Sequence, residues 1–108
     1  MAVSHGFRDF VLGQLEALGD VTARPMFGGL GLYQGERFFG LVAHDTVYFK
    51  AGPGNRRDYE RAGMQPFRPY PGRPTTMKYF QVPLAVLEDA DELVRWARKS
   101  VAEAAPRE

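Results

Sequence analysis

The chain has 108 residues, 44% of them hydrophobic, and its 14 Lys and Arg almost balance 13 Asp and Glu to leave a net charge of +1. That composition belongs to an ordinary globular protein rather than a disordered or strongly basic one, so whole-chain charge does not predict nucleic-acid binding; the length predicts one domain, residues 1–108. The absence of cysteine excludes a disulfide framework, a thiolate nucleophile and a Cys-based metal site, no uncharged run nears the ~18 apolar residues of a membrane span, and Arg8, Asp9 and Glu16 interrupt any leader-like segment.

From Phe7, apolar side chains recur at Phe10, Val11, Leu15 and Leu18, the spacing of an amphipathic helix. Ser4 is placed to cap it and Gly19 to stop it. Val21 to Phe27 carries strand-type residues around Pro25, and a proline, which cannot donate to a ladder, predicts an edge strand. The block Arg24-Pro25-Met26-Phe27-Gly28-Gly29-Leu30-Gly31-Leu32-Tyr33 sets three glycines among large apolar side chains. Gly28, Gly29 and Gly31 can take positive φ or admit a second backbone, so the block reads as two strands meeting at a tight bend.

Gln34-Gly35-Glu36 is a turn, and Arg37 to Ala43 is apolar on both alternating faces, with Phe39, Leu41 and Ala43 expected on one and Phe38 and Val42 on the other. His44-Asp45 turns the chain into Thr46 to Lys50, where Val47 and Phe49 face the core and Thr46, Tyr48 and Lys50 face water. Gly52-Pro53-Gly54-Asn55 breaks the sheet run, and Asn55 is placed to cap a short helix from Arg56 to Ala62. Met64 to Phe67 reads as extended, a proline-rich loop runs from Arg68 to Pro74, and Thr75 to Val82 is a strand with Phe80 and Val82 on one face, closed by Pro83. Asp89-Ala90-Asp91-Glu92 is a capping box before a last helix striped with Leu93, Ala97, Val101 and Ala104, with Trp96 beside the stripe. The predicted fold is α+β, a two-layer α/β sandwich in the order α-β-β-β-β-α-β-β-α, with helices packed on a mainly antiparallel sheet.

No residue pattern predicts catalysis, a metal site or a cofactor. His5 and His44 have no ligand spacing around them, and the glycine block misses the dinucleotide fingerprint and leads into a strand rather than a helix. Gly52 to Arg57 opens a helix beside two arginines and reads either as a capped turn or as an anion site. Charge is uneven: residues 50–78 hold seven Lys and Arg against two acids, while the segments on either side are net acidic. Lys50, Arg56, Arg57, Arg61, Arg68, Arg73 and Lys78, interleaved with Tyr59, Phe67 and Tyr70, form either a solvated face or a surface for phosphates or an acidic protein. Tyr33, Tyr48 and Tyr79 lie either exposed on the sheet, which favours a partner or a homodimer contact, or under a helix.

The Arg24–Tyr33 block, together with Gly35, Phe38, Val42, Tyr48-Phe49-Lys50, Met77-Lys78-Tyr79-Phe80-Gln81-Val82-Pro83, Leu93 and Trp96-Ala97, resembles the N-terminal domain of the TfoX/Sxy competence regulators over roughly Phe7 to Val101. The resemblance implies a secretion-chaperone-like two-layer fold, no enzymatic activity, and a cytoplasmic role in bacterial transcription regulation of DNA uptake through the cyclic-AMP receptor protein. Full-length regulators carry a second, helical domain, so this sequence is expected to stand alone as the first. Arg24, Met26, Phe27, Gly28, Gly29, Gly31, Tyr33, Tyr79 and Pro83 form the motif, which reads as structural. The function expected is a non-enzymatic interaction domain acting on a protein partner, with no membrane contact; the alternative is direct nucleic-acid binding through residues 50–78.

Overall fold

The Ser4 hydroxyl oxygen accepts the Phe7 amide at 3.2 Å and so starts α1, His5–Gln14. In the computed structural model, which describes residues 4–26, 28–67 and 78–104, α1 tightens into a 3-10 turn at Glu16–Leu18. Gly19, at φ 82°, then releases the chain into the sheet. Val11, Leu15 and Leu18 are buried, as their spacing requires.

Five strands follow one another across an antiparallel sheet: β1 (Val21–Met26), β2 (Gly29–Gln34), β3 (Arg37–Ala43), β4 (Thr46–Lys50) and β5 (Tyr79–Gln81). α2 (Arg56–Arg61) lies between β4 and β5, and α3 (Leu84–Leu87) and α4 (Ala90–Glu103) close the chain. The Asp89 carboxylate accepts the Glu92 amide at 3.2 Å and caps α4. All four helices send side chains into one core on one face of the sheet, where Val11, Tyr59, Leu87 and Leu93 meet Leu32, Phe39, Phe49 and Phe80. The architecture is therefore the expected α+β sandwich, and β1 with its Pro25 is an edge.

Three local features depart from the expected pattern. β3 contains a β-bulge: Leu32 opposes Gly40 while Tyr33 opposes Phe38, so Phe39 is an extra residue in its strand. The bulge puts Phe39 in the helix-side core with Val42, and Phe38 on the opposite face with Leu41 and Ala43, which corrects the simple alternation. Met64 to Phe67 makes only the bridge Pro66↔Phe80, flanked by Phe67 N–H to Tyr79 O at 2.7 Å and Gln81 N–H to Gln65 O at 3.0 Å. Pro66 sits at a non-hydrogen-bonded position of that pairing, where its missing N–H costs nothing, and a ribbon of backbone, not a full strand, lines the outer edge of β5. α3 is a helical turn absent from the predicted order, entered directly from Pro83.

The hairpin turns follow from residue type. Met26 pairs with Gly29, so β1 reverses into β2 within two residues, and Gly28 supplies φ 80°. Between β3 and β4 the two turn residues, His44 and Asp45, both adopt positive φ, 51° and 52°, the type I′ pattern that matches strand twist.

Candidate interaction surface

The seven basic residues of segment 50–78 are arranged by the break after β4. Asn55 precedes α2 but its side chain does not cap the helix; it turns inward and is 2% exposed. Its Oδ1 accepts the Gly52 amide at 2.8 Å, and its Nδ2 donates to the Lys50 carbonyl at 3.0 Å and to Ser100 Oγ at 3.3 Å. Ser100, fully buried on α4, donates to the same Lys50 carbonyl at 2.8 Å, and its oxygen lies 3.3 Å from the Tyr59 hydroxyl. Among the described residues no buried side-chain polar atom is left without a partner, so this network fixes α2 against α4. Burial pushes the Tyr59 phenol well above its ordinary pKa, against the opposing effect of the Ser100 hydrogen bond.

The same turn answers the question of an anion site. Gly54 donates its amide to Glu103 Oε2 at 3.2 Å, and a Cβ at Gly52 or Gly54 would overlap the Glu103 carboxylate. The anion held there is the chain's own. Glycine at both positions lets α4 reach the turn.

The cations separate into two groups. On α2, Arg56 pairs with Glu60 at 3.1 Å and lies 5.5 Å from the Phe80 ring centroid, while Asp58 is taken by Lys99 of α4 at 2.9 Å. Arg57 and Arg61, one turn apart, are exposed, and neither has an acidic partner within 4.0 Å among the described residues. Lys50 instead projects from the other face of the sheet, with its ammonium 5.3 Å from the centre of the Tyr79 ring. Lys78 is exposed beside it, and its carbonyl accepts the Ala51 amide at 2.7 Å. Arg68, Arg73 and, in the glycine block, Phe27 lie outside the described residues.

The face of the sheet away from the helices carries a line of rings. Arg24 lies over Tyr33 at 4.9 Å, Tyr33 stacks on Phe38 at 5.1 Å, Phe38 meets Tyr79 in a tilted contact at 5.5 Å, and Tyr79 carries Lys50. Tyr48 packs against Phe67 at 4.8 Å in the same layer. Tyr33 and Tyr79 are each only 8% exposed, and the half-buried Phe38, Tyr48 and Phe67 pack with Tyr79, Leu41 and Ala43 in a second, smaller core, so the two tyrosine rings offer no open platform for bases. Burial pushes the Tyr79 phenol up to about 12, with Tyr33 adding to the shift.

The glycine block serves this layer. A Cβ at Gly29 would overlap the Val42 carbonyl oxygen, so the residue lets β2 and β3 close on each other. A Cβ at Gly31 would stand 3.1 Å from Tyr33, 3.2 Å from Phe38 and 3.3 Å from Met26, so its absence leaves room for the rings. The adjoining pocket, about 40 Å³ between Met26, Leu41, Ala43 and Phe67, is apolar and holds no titratable group among the described residues. Pro83 leads from β5 into α3. Among the described residues no three His, Asp or Glu side chains gather into a metal site, and no helix is long and apolar enough to cross a membrane.

Comparison with known proteins adds one finding. A family model described as the TfoX N-terminal domain matches residues 13–104. No curated protein matches the chain.

Proposed function

Since the chain belongs to the TfoX N-terminal domain family, we propose that it is a non-enzymatic, cytoplasmic interaction domain that takes part in competence-related transcription regulation by docking on a protein partner. The observation that carries this reading is the pair Arg57 and Arg61. Both stand exposed on a helix whose other charges are already engaged, Arg56 with Glu60 and Asp58 with Lys99. The network through Asn55, Tyr59 and Ser100 holds α2 against the body of the domain, so that the two arginines leave the helix from fixed backbone positions one turn apart. Two such groups one turn apart suit an acidic protein surface, where each can make paired hydrogen bonds to a carboxylate.

Reversing Arg57 and Arg61 to glutamate tests the reading by affinity capture from a bacterial lysate, with circular dichroism to establish that the variant is folded. The proteins held by the wild type are expected to be lost, whereas retention of the same set removes the role of α2. Titration with duplex and single-stranded DNA at two salt concentrations separates this reading from direct nucleic-acid binding. A protein-docking domain gives no signal, while binding that falls steeply with salt would favour phosphate contacts.

A further inference from the structure

β1 is an edge strand on one side only, and its outer side has a pattern that fits a second copy of itself. Gly35 donates to the Asp20 carbonyl at 3.1 Å, and Asp20 and Gly35 lie opposite each other in the β1–β2 register. The alternation of an antiparallel ladder therefore turns the N–H and C=O groups of Thr22, Arg24 and Met26 toward β2, and those of Val21 and Ala23 outward. Pro25 also falls at an outward position, where its missing N–H costs the sheet nothing. The opposite edge of the sheet is lined by Gln65 to Phe67. Among the described residues nothing pairs with the outer side of β1.

From this the geometry points to an isologous dimer in which β1 pairs antiparallel with the β1 of a second copy, Thr22 lying on the two-fold axis. Pro25 selects the register. A partner strand running past Pro25 would meet its ring in place of a donor, so pairing is confined to Val21–Ala23, with Val21 opposite the second copy's Ala23 and four backbone hydrogen bonds in all. Pro25 then overhangs the point where the second copy's chain turns away at Gly19, φ 82°. On the open face the two exposed Thr22 side chains meet at a non-hydrogen-bonded pair, and Arg24 falls opposite Asp20 of the second copy, both exposed and of opposite charge. On the helix face, Val21 and Ala23, both half-buried, cover their counterparts. The surface is thus complementary to itself in hydrogen bonds, charge and apolar area, as a two-fold contact requires. The result is a continuous ten-stranded sheet, with α2 of each copy remote from the joint.

Sedimentation equilibrium over a concentration series, together with cysteine cross-linking, tests the proposal. The wild type is expected to pass from 12.1 kDa to twice that mass as concentration rises. Ala23→Pro removes an outward N–H and no bond within the sheet, and Thr22→Lys sets like charges on the axis; each is expected to weaken association at least tenfold. Because the chain has no cysteine, Thr22→Cys reports the register directly: the two sulfurs meet across a pair whose Cα atoms lie about 4.5 Å apart, and mild oxidation links them. Gln81→Cys, exposed on β5, is expected to stay unlinked. If Ala23→Pro fails to fold, the lysine and cysteine variants carry the test. A wild type that remains monomeric to about 1 mM, a dimer indifferent to both Ala23→Pro and Thr22→Lys, or Gln81→Cys linking as readily as Thr22→Cys would overturn the proposal.

Discussion

Replacing Gly29 by alanine places a methyl group where the backbone of β3 already stands. The new Cβ would overlap the Val42 carbonyl oxygen, and Val42 is the register partner of Leu30, so the clash falls inside the β2–β3 ladder. A carbonyl cannot swing aside as a side chain can. Relief requires the strands to part locally, an overpacking cost of about 1–3 kcal/mol, with one or two stretched ladder bonds adding about 1 kcal/mol each. The smaller unfolded-state entropy of alanine offsets roughly 0.4–1 kcal/mol of this. The expected loss is about 2–4 kcal/mol, on the order of a 10–20 °C fall in Tm for a domain of this size. Urea unfolding followed by fluorescence of the only tryptophan, Trp96, which packs edge-on against Tyr59 at 4.9 Å, measures it. Gly31→Ala, whose contacts are movable side-chain atoms, is expected to cost less. Gly13→Ala, on α1 with nothing within 4 Å of the new Cβ, is expected to stabilise by up to about 1 kcal/mol. A Gly29→Ala variant within about 0.5 kcal/mol of wild type, below the overpacking range, would refute the view that the block is there for close backbone approach.

Ser100→Ala strips the central hydroxyl from the network joining Asn55, Tyr59 and the Lys50 carbonyl, and is expected to cost about 2–4 kcal/mol because buried partners are left unsatisfied; urea unfolding reads it. Asp45→Gly relieves a left-handed residue in the type I′ turn and loses only the exposed contact to the Ser4 amide, so a gain of about 0.5–1 kcal/mol is expected on the same assay. Alkaline titration should reveal the buried phenols. Burial raises the pKa of Tyr59 and of Tyr79 in the folded state, so above pH ~10 the unfolded chain gives up protons that the folded chain keeps. Stability is then flat with respect to these groups below pH ~10 and falls above it by at most about 1.4 kcal/mol per pH unit for each ring, less where water reaches the hydroxyl. Tyr79→Phe should reduce the slope between pH 10 and about 12; an unchanged slope would place the effect in other groups.

What could be read from the sequence was whatever depends on a residue's own chemistry. Pro25 signalled an edge because it has no N–H, Ser4 and Asp89 signalled helix starts because their side chains accept amide protons, and the alternation of Val47 with Phe49 put both in the core. What could not be read depends on partners far away in the chain. The bulge at Phe39 lies where β3 shifts register against β2, and no periodicity marks it. Asn55 left its cap for Ser100, 45 residues on, and Glu103 took the glycine turn from a distance of 49 residues. Local charge counts likewise joined Lys50 to Arg57 and Arg61, although the sheet sets Lys50 on one face and α2 belongs to the layer on the other. The tyrosines proved to be neither under a helix nor openly exposed, since Phe38 packs between Tyr33 and Tyr79, and Phe67 packs on Tyr48.

Quantitative affinity capture with three folded baits addresses the account's main claim, that an exposed arginine pair on α2 does the docking while the glycine-aromatic layer only supports it. Wild type and a control reversal at exposed Arg98 of α4 are expected to retain the same proteins, and the double reversal at Arg57 and Arg61 to lose them. Equal retention by all three baits would contradict it.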